Sequence, residues 1–83
     1  MMSYFVYILE CSDKTLYTGI TTDVQKRLGE HNGSDKGAKY TRVRRPVKVV
    51  YTEDAQDRST ACKREYAIKQ LSRAQKLALI ENN

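Results

Sequence analysis

At 83 residues the chain has room for one domain spanning 1–83 with one modest core, because a chain this short buries only about 60% of its unfolded surface. Lys and Arg number 15 against 10 Asp and Glu, a formal charge of +5, which favours polyanionic partners through counterion release without singling one out. No apolar run approaches the ~20 residues of a membrane span and no charged start leads into a secretory apolar stretch, so a cytoplasmic protein with no membrane partner is expected.

Tyr4 to Cys11 is apolar on both alternating faces, Val6 and Ile8 on one and Phe5, Tyr7 and Leu9 on the other. That pattern suits a strand covered on both sides, and hence a central one. Thr15 to Ile20 returns antiparallel after Ser12-Asp13-Lys14, and the loop length decides which side chains share a face. A two-residue turn at Asp13-Lys14 sets Tyr7 opposite Ile20 and Tyr17 opposite Glu10, on different faces. A three-residue loop with Lys14 left-handed sets Tyr7 opposite Gly19 and Tyr17 opposite Leu9, on the same face. The second register is adopted, although Lys is not a residue that favours that backbone region.

Thr22 with Gln25 reads as a capping box and Asp23 suits the first turn, so a helix starts there, carrying Val24, Leu28 and His31 on one side. Asn32-Gly33 supplies its stop. From Gly33 to Pro46 there is no apolar period, and Lys36, Lys39, Arg42, Arg44 and Arg45 stand against one acid, Asp35. Loops of this length in small domains are usually functional or disordered. Val47, Val49 and Tyr51 then alternate with Lys48, Val50 and Thr52 as a third strand. Asp57 caps a helix from Arg58 to about Leu71 with Ala61, Ala67, Ile68 and Leu71 on its apolar side, and Ser72 with Gln75 opens a last helix through Leu77, Leu79 and Ile80. The expected fold is α+β, order ββαβαα: a three-stranded antiparallel sheet, first strand central, flanked by three helices. Cys11 and Cys62 form no CxxC and have no ligand cluster beside them, so both are expected to be reduced, with no zinc and no disulfide partner.

In the adopted register Tyr7 and Tyr17 share a sheet face beside a helix that presents Arg27 and His31 four residues apart, on one side. Taken singly, each is an ordinary packing or surface residue; their joint spacing points to chemistry. Gly19, opposite Tyr7, leaves space for a phosphate to approach. Arg27 suits a phosphate because its fork holds two oxygens. Lys36, Lys39, Arg42, Arg44 and Arg45, with Tyr40 available to stack on a base, read as contacts to a nucleic-acid backbone. Glu65 sits at the margin of the apolar side of its helix, where an ion pair with Lys69 is the plainest account.

With Tyr7 in Val6-Tyr7-Ile8, Tyr17 in Tyr17-Thr18-Gly19, and Arg27 and His31 on the following helix, the chain resembles the GIY-YIG nuclease superfamily, in particular its small stand-alone bacterial members. The resemblance covers essentially the full chain. It implies a divalent-metal-dependent endonuclease acting on DNA, with RNA as the other nucleic-acid partner it allows, with low sequence specificity, of the kind found in DNA repair or recombination; a protein partner is compatible with it. It further implies Tyr17 as the base beside Tyr7, and Glu65 as the ligand of one Mg²⁺ or Mn²⁺. Tyr7 and His31 then orient groups or relay protons. Two departures accompany it: the triplets keep their tyrosines but not every neighbour, and Ser72 to Ile80 lacks the Asn that many members carry beyond the metal glutamate. A non-catalytic nucleic-acid-binding module of the same fold is the alternative.

Overall fold

A computed structural model of the protein describes residues 3–82. Strands β1 (Tyr4–Glu10) and β2 (Leu16–Thr21) precede helices α1 (Val24–Gly33) and α2 (Lys39–Arg42); β3 (Lys48–Ala55), α3 (Arg58–Lys69) and α4 (Arg73–Glu81) follow. The sheet is antiparallel with order β2-β1-β3. As its two apolar faces require, the central strand is sealed on both sides, with Val6 and Ile8 at 0% exposure and Tyr7 at 2%.

The β1–β2 register follows the three-residue loop. Tyr7 pairs with Gly19 and Leu9 with Tyr17, and Lys14 takes φ 71. Its conformation is held from both sides: Lys14 N–H donates to Cys11 O at 2.9 Å, and the Asp13 carboxylate accepts from Thr15 N–H and Oγ1. A short polar side chain bonding two residues ahead is what offsets the missing glycine.

Three local expectations are corrected. Asp23, not Thr22, is the cap of α1, accepting from Lys26 N–H at 3.0 Å. Asn32 does not stop that helix, which runs on to Gly33; its carboxamide instead donates to Val47 O and accepts from Val47 N–H at 2.9 and 2.8 Å, copying a strand's pairing and tying α1 to the start of β3. The basic segment contains a single helical turn, α2, so the order is ββααβαα, with α2 added to the three expected helices. The Asp57 cap and the Ser72–Gln75 capping box form as expected.

The two sheet faces carry separate cores. Val6, Ile8 and Tyr51 pack with Ala61 and Ile68 of α3, and Leu79 and Ile80 of α4 close over them. Tyr7, Leu9, Cys11 and Val47 pack on the opposite face with Tyr17, Leu28 and Val49. The alternation of β3 does not hold throughout, because the pairing slips between Ile8↔Tyr51 and Leu9↔Val49. The extra residue, Val50, forms a bulge that carries Tyr51 to the face opposite Val47 and Val49. Ala67, expected on the apolar side of α3, is exposed. Both cysteines are free thiols, Cys11 buried and Cys62 half-buried.

Candidate active site

The site is built on the α1 face of the hairpin. Tyr7 lies flat across Gly19: a Cβ there would stand 2.5 Å from the Tyr7 hydroxyl and 2.7 Å from Cζ. Only glycine admits the ring, so its role on this face is to seat Tyr7. Beyond it, the Tyr7 hydroxyl meets His31 Nε2 at 2.9 Å. The imidazole stands edge-on to both phenols, with centroids 6.0 Å from Tyr7 and 5.3 Å from Tyr17, each at 63°. Two strands and one helix thus converge on a Tyr7–His31–Tyr17 cluster.

His31 is fully buried. Burial is the main reason its pKa falls to about 4, with the Arg27 and Arg45 charges acting in the same direction and Glu30 opposing them, so it is neutral at pH 7. Its Nδ1 lies 2.7 Å from Thr41 Oγ1. Burial likewise pushes the Tyr7 phenol up, while the neighbouring Arg27 guanidinium pulls it down and the Tyr17 and Glu65 charges push it up.

Arg27 Nη1 donates to Glu30 Oε1 at 3.0 Å and to Lys36 O at 2.6 Å. A guanidinium has five N–H donors, so Nε and Nη2 remain on a side chain still 27% exposed. Glu65 arrives on α3, which packs against β2 and β1. Its carboxylate is 23% exposed and pairs with Lys69 at 3.5 Å, and its charge reaches the Tyr7 phenol. Among the described residues no three potential metal ligands cluster. Glu65 therefore offers a single hard oxygen donor group, a fit for Mg²⁺ or Mn²⁺ only if water and substrate phosphate complete the shell.

The basic segment is bound to its own fold more than its composition suggests. Arg42 donates to Asp35 O. Arg44 pairs with Asp13 at 3.1 Å, donates to Tyr40 O, and lies 3.9 Å over the Tyr40 ring. Arg45 donates to the carbonyls of His31, Glu30 and Ser34, closing the end of α1. Tyr40 itself stacks on Tyr17 at 5.9 Å and 26°, so its ring is engaged by both Tyr17 and Arg44. Lys36 and Lys39 are exposed.

Sequence reasoning did not single out Gly37 or Thr41. A Cβ on Gly37 would meet Glu30 O at 2.7 Å and His31 Cα at 2.8 Å, so this glycine lets the segment lie directly on the α1 backbone and bring Thr41 to His31. The glycine was the only signal available. Two cavities, of about 200 Å³ beside Glu10 and Lys48 and about 410 Å³ beside Phe5 and Val24, lie away from the tyrosines. Within the cluster Tyr7 and His31 are buried, and Tyr17 is the member that is partly exposed.

Comparison with known proteins agrees with this geometry. Residues 3–78 match the model of the GIY-YIG catalytic domain. The chain is 61% identical over 79 residues to a UPF0213 protein of Desulfotalea psychrophila, covering 95% of this chain and 72% of that one. It is 58% identical over 83 residues to a UPF0213 protein of Syntrophus aciditrophicus, covering 100% and 95%. The solution structure of a UPF0213 protein from Bacillus halodurans is similar at a TM-score of 0.64 with 46% identity, over 99% of this chain and 86% of that one. Paired tyrosines on a hairpin, an Arg and a His on the next helix, and a match across nearly the whole chain lead to one assignment: this protein belongs to the GIY-YIG catalytic-domain family, a family of nuclease type, alongside the small UPF0213 proteins.

Proposed function

We propose that the protein is a divalent-metal-dependent endonuclease that hydrolyses DNA phosphodiester bonds with little sequence preference. The observation that carries this reading is the convergence of Tyr7, Tyr17 and His31 in one cluster, with the Arg27 guanidinium beside Tyr7. In-line hydrolysis needs a positioned water, a group to take its proton, and positive charge on the phosphoryl oxygens.

Tyr17, as the phenolate that neighbouring positive charge favours, takes the proton from the attacking water, and Arg27 holds the phosphate through the N–H groups left free by Glu30 and Lys36 O. Tyr7, seated on Gly19 and held by neutral His31, orients the reacting group. Glu65 would hold the Mg²⁺ or Mn²⁺, whose contribution when bound is charge neutralisation at the phosphate. Exposed Lys36 and Lys39 supply backbone contacts. Arg42, Arg44 and Arg45 contribute positive potential while bracing the segment, and Tyr40 supports the Tyr17 ring. No helix among the described residues is long and apolar enough to cross a membrane, in keeping with a cytoplasmic nucleic-acid partner.

A second reading, a binding module without turnover, is favoured by one observation, the solitary position of Glu65. Supercoiled plasmid and single-stranded DNA incubated with Mg²⁺ or Mn²⁺ separate the two. Nicking lost in both Tyr17→Phe and Glu65→Ala supports the nuclease, whereas salt-sensitive binding with no cut product supports the module. Failure to bind DNA or RNA at low salt overturns both and leaves a protein partner.

A further inference from the structure

His31 is the only histidine of the chain, and which of its nitrogens carries the proton decides which way the Tyr7 hydroxyl points. Ala38 N–H is aimed at Nδ1 at 3.4 Å. A backbone N–H can only donate, and its hydrogen is fixed by the peptide plane, so Nδ1 must present a lone pair. The Thr41 hydroxyl lies within reach of both Nδ1, at 2.7 Å, and Ala38 O, at 2.9 Å. Ala38 O already accepts from the N–H groups of Thr41 and Arg42, each at 3.1 Å, and an oxygen 2.7 Å from an Nδ1 lone pair requires a proton between the two atoms. The Thr41 proton is therefore directed to Nδ1, whose one lone pair it shares with the longer Ala38 N–H contact.

We infer that α2 acts as a tautomer clamp: Ala38 N–H and the Thr41 hydroxyl both donate to Nδ1, so that His31 Nε2 carries the proton and donates it to the Tyr7 oxygen. Thr41 is then a positioning residue. It acts through His31 without touching the reacting atoms, and the Tyr7 hydroxyl, accepting from Nε2, keeps its own proton to donate. Tyr7 meets a phosphate oxygen as a donor. Both His31 and Thr41 are at 0% exposure, so bulk water does not compete for these hydrogen bonds. The tautomer stands on the structure alone; its consequence for catalysis rests on the nuclease reading.

Long-range ¹H–¹⁵N correlation spectra of the ¹⁵N-labelled full chain at pH 7 test the clamp directly, because a lone imidazole gives one unambiguous pattern. A pyridine-type Nδ1 with a pyrrole-type Nε2 is expected in the wild type and in Thr41→Ser. In Thr41→Val both nitrogens should move toward averaged values. A pyrrole-type Nδ1 in the wild type overturns the inference, as does a Thr41→Val pattern identical to the wild type. If Thr41→Val does not fold, the wild-type and Thr41→Ser spectra still decide the tautomer. In the plasmid assay Thr41→Val should nick about tenfold more slowly, one hydrogen bond's worth, with Thr41→Ser restoring the rate. A chain that nicks nothing defeats the nuclease reading but leaves the spectra free to uphold or refute the clamp.

Discussion

Acid should loosen this protein through His31 well before its carboxylates titrate. Burial holds the folded imidazole at about 4, against 6.5 for the ordinary group. A depressed histidine pKa means that the unfolded chain binds the proton first, so stability is complete above about pH 6.5 and falls as pH drops toward 4. At about 1.4 kcal/mol per pH unit, the loss reaches about 3 kcal/mol over the full window and about 2 kcal/mol between pH 7 and 5. That is a large share of the total for a small domain. The carboxylates held below their usual range, Asp13, Glu30 and Asp57, lose their contribution only as pH falls below their unfolded values of about 4. Since there is one histidine, the interval from pH 7 to 5 isolates it. Urea midpoints followed by far-UV circular dichroism at the two pH values should differ accordingly in the wild type and be nearly equal in His31→Gln, whatever the variant's absolute stability. Equal wild-type midpoints, or the same slope in His31→Gln, would refute the account of a buried neutral imidazole.

Three further outcomes follow from the packing. Gly19→Ala forces the Tyr7 ring off β2 and strains its bond to His31; overpacking of this kind costs about 1–3 kcal/mol, read as a lower urea midpoint together with shifted Tyr7 ring resonances. Asn32→Ala leaves the Val47 N–H and C=O without their partners, at about 1–3 kcal/mol, with no change in nucleic-acid affinity per folded molecule. Lys39→Ala should reduce the slope of log affinity against log salt by about one while leaving the melting temperature unchanged, whereas Arg45→Ala should lower the melting temperature with little change in that slope.

How much of this was legible in the sequence depends on the range of the interactions involved. The hairpin register was readable because three residues in a loop admit few geometries, and the centrality of β1 because both its faces are apolar. The caps at Asp57 and Ser72 and the Glu65–Lys69 pair were readable because their partners lie within one helical turn. The face of Tyr51 was not, since the bulge at Val50 is set by pairing with β1 and leaves no mark in the local alternation. The destinations of Arg44 and Arg45 were hidden for the same reason: their partners, Asp13 and His31, lie far away in sequence. Composition announces a guanidinium but not which acceptor it reaches. At the site, Tyr7, Tyr17, Arg27 and His31 were visible from spacing and resemblance, while Thr41 was visible in neither, because its part begins only when Gly37 lets two backbones touch.

The Arg44 carbonyl accepts from both the N–H and the hydroxyl of Ser12, stitching the far end of the basic segment to the tip of the β1–β2 hairpin. With its near end laid on α1 at Gly37, and Arg45 beside Arg44 reaching back to the end of that helix, the segment is a strap held between anchors rather than a tentacle. Such a strap meets a polyanion with its ordering already done, losing little chain entropy on contact, but it cannot wrap around what it meets. On the nuclease reading, discrimination between nucleic-acid shapes would then rest on the ligand's own deformability rather than on movement of the strap.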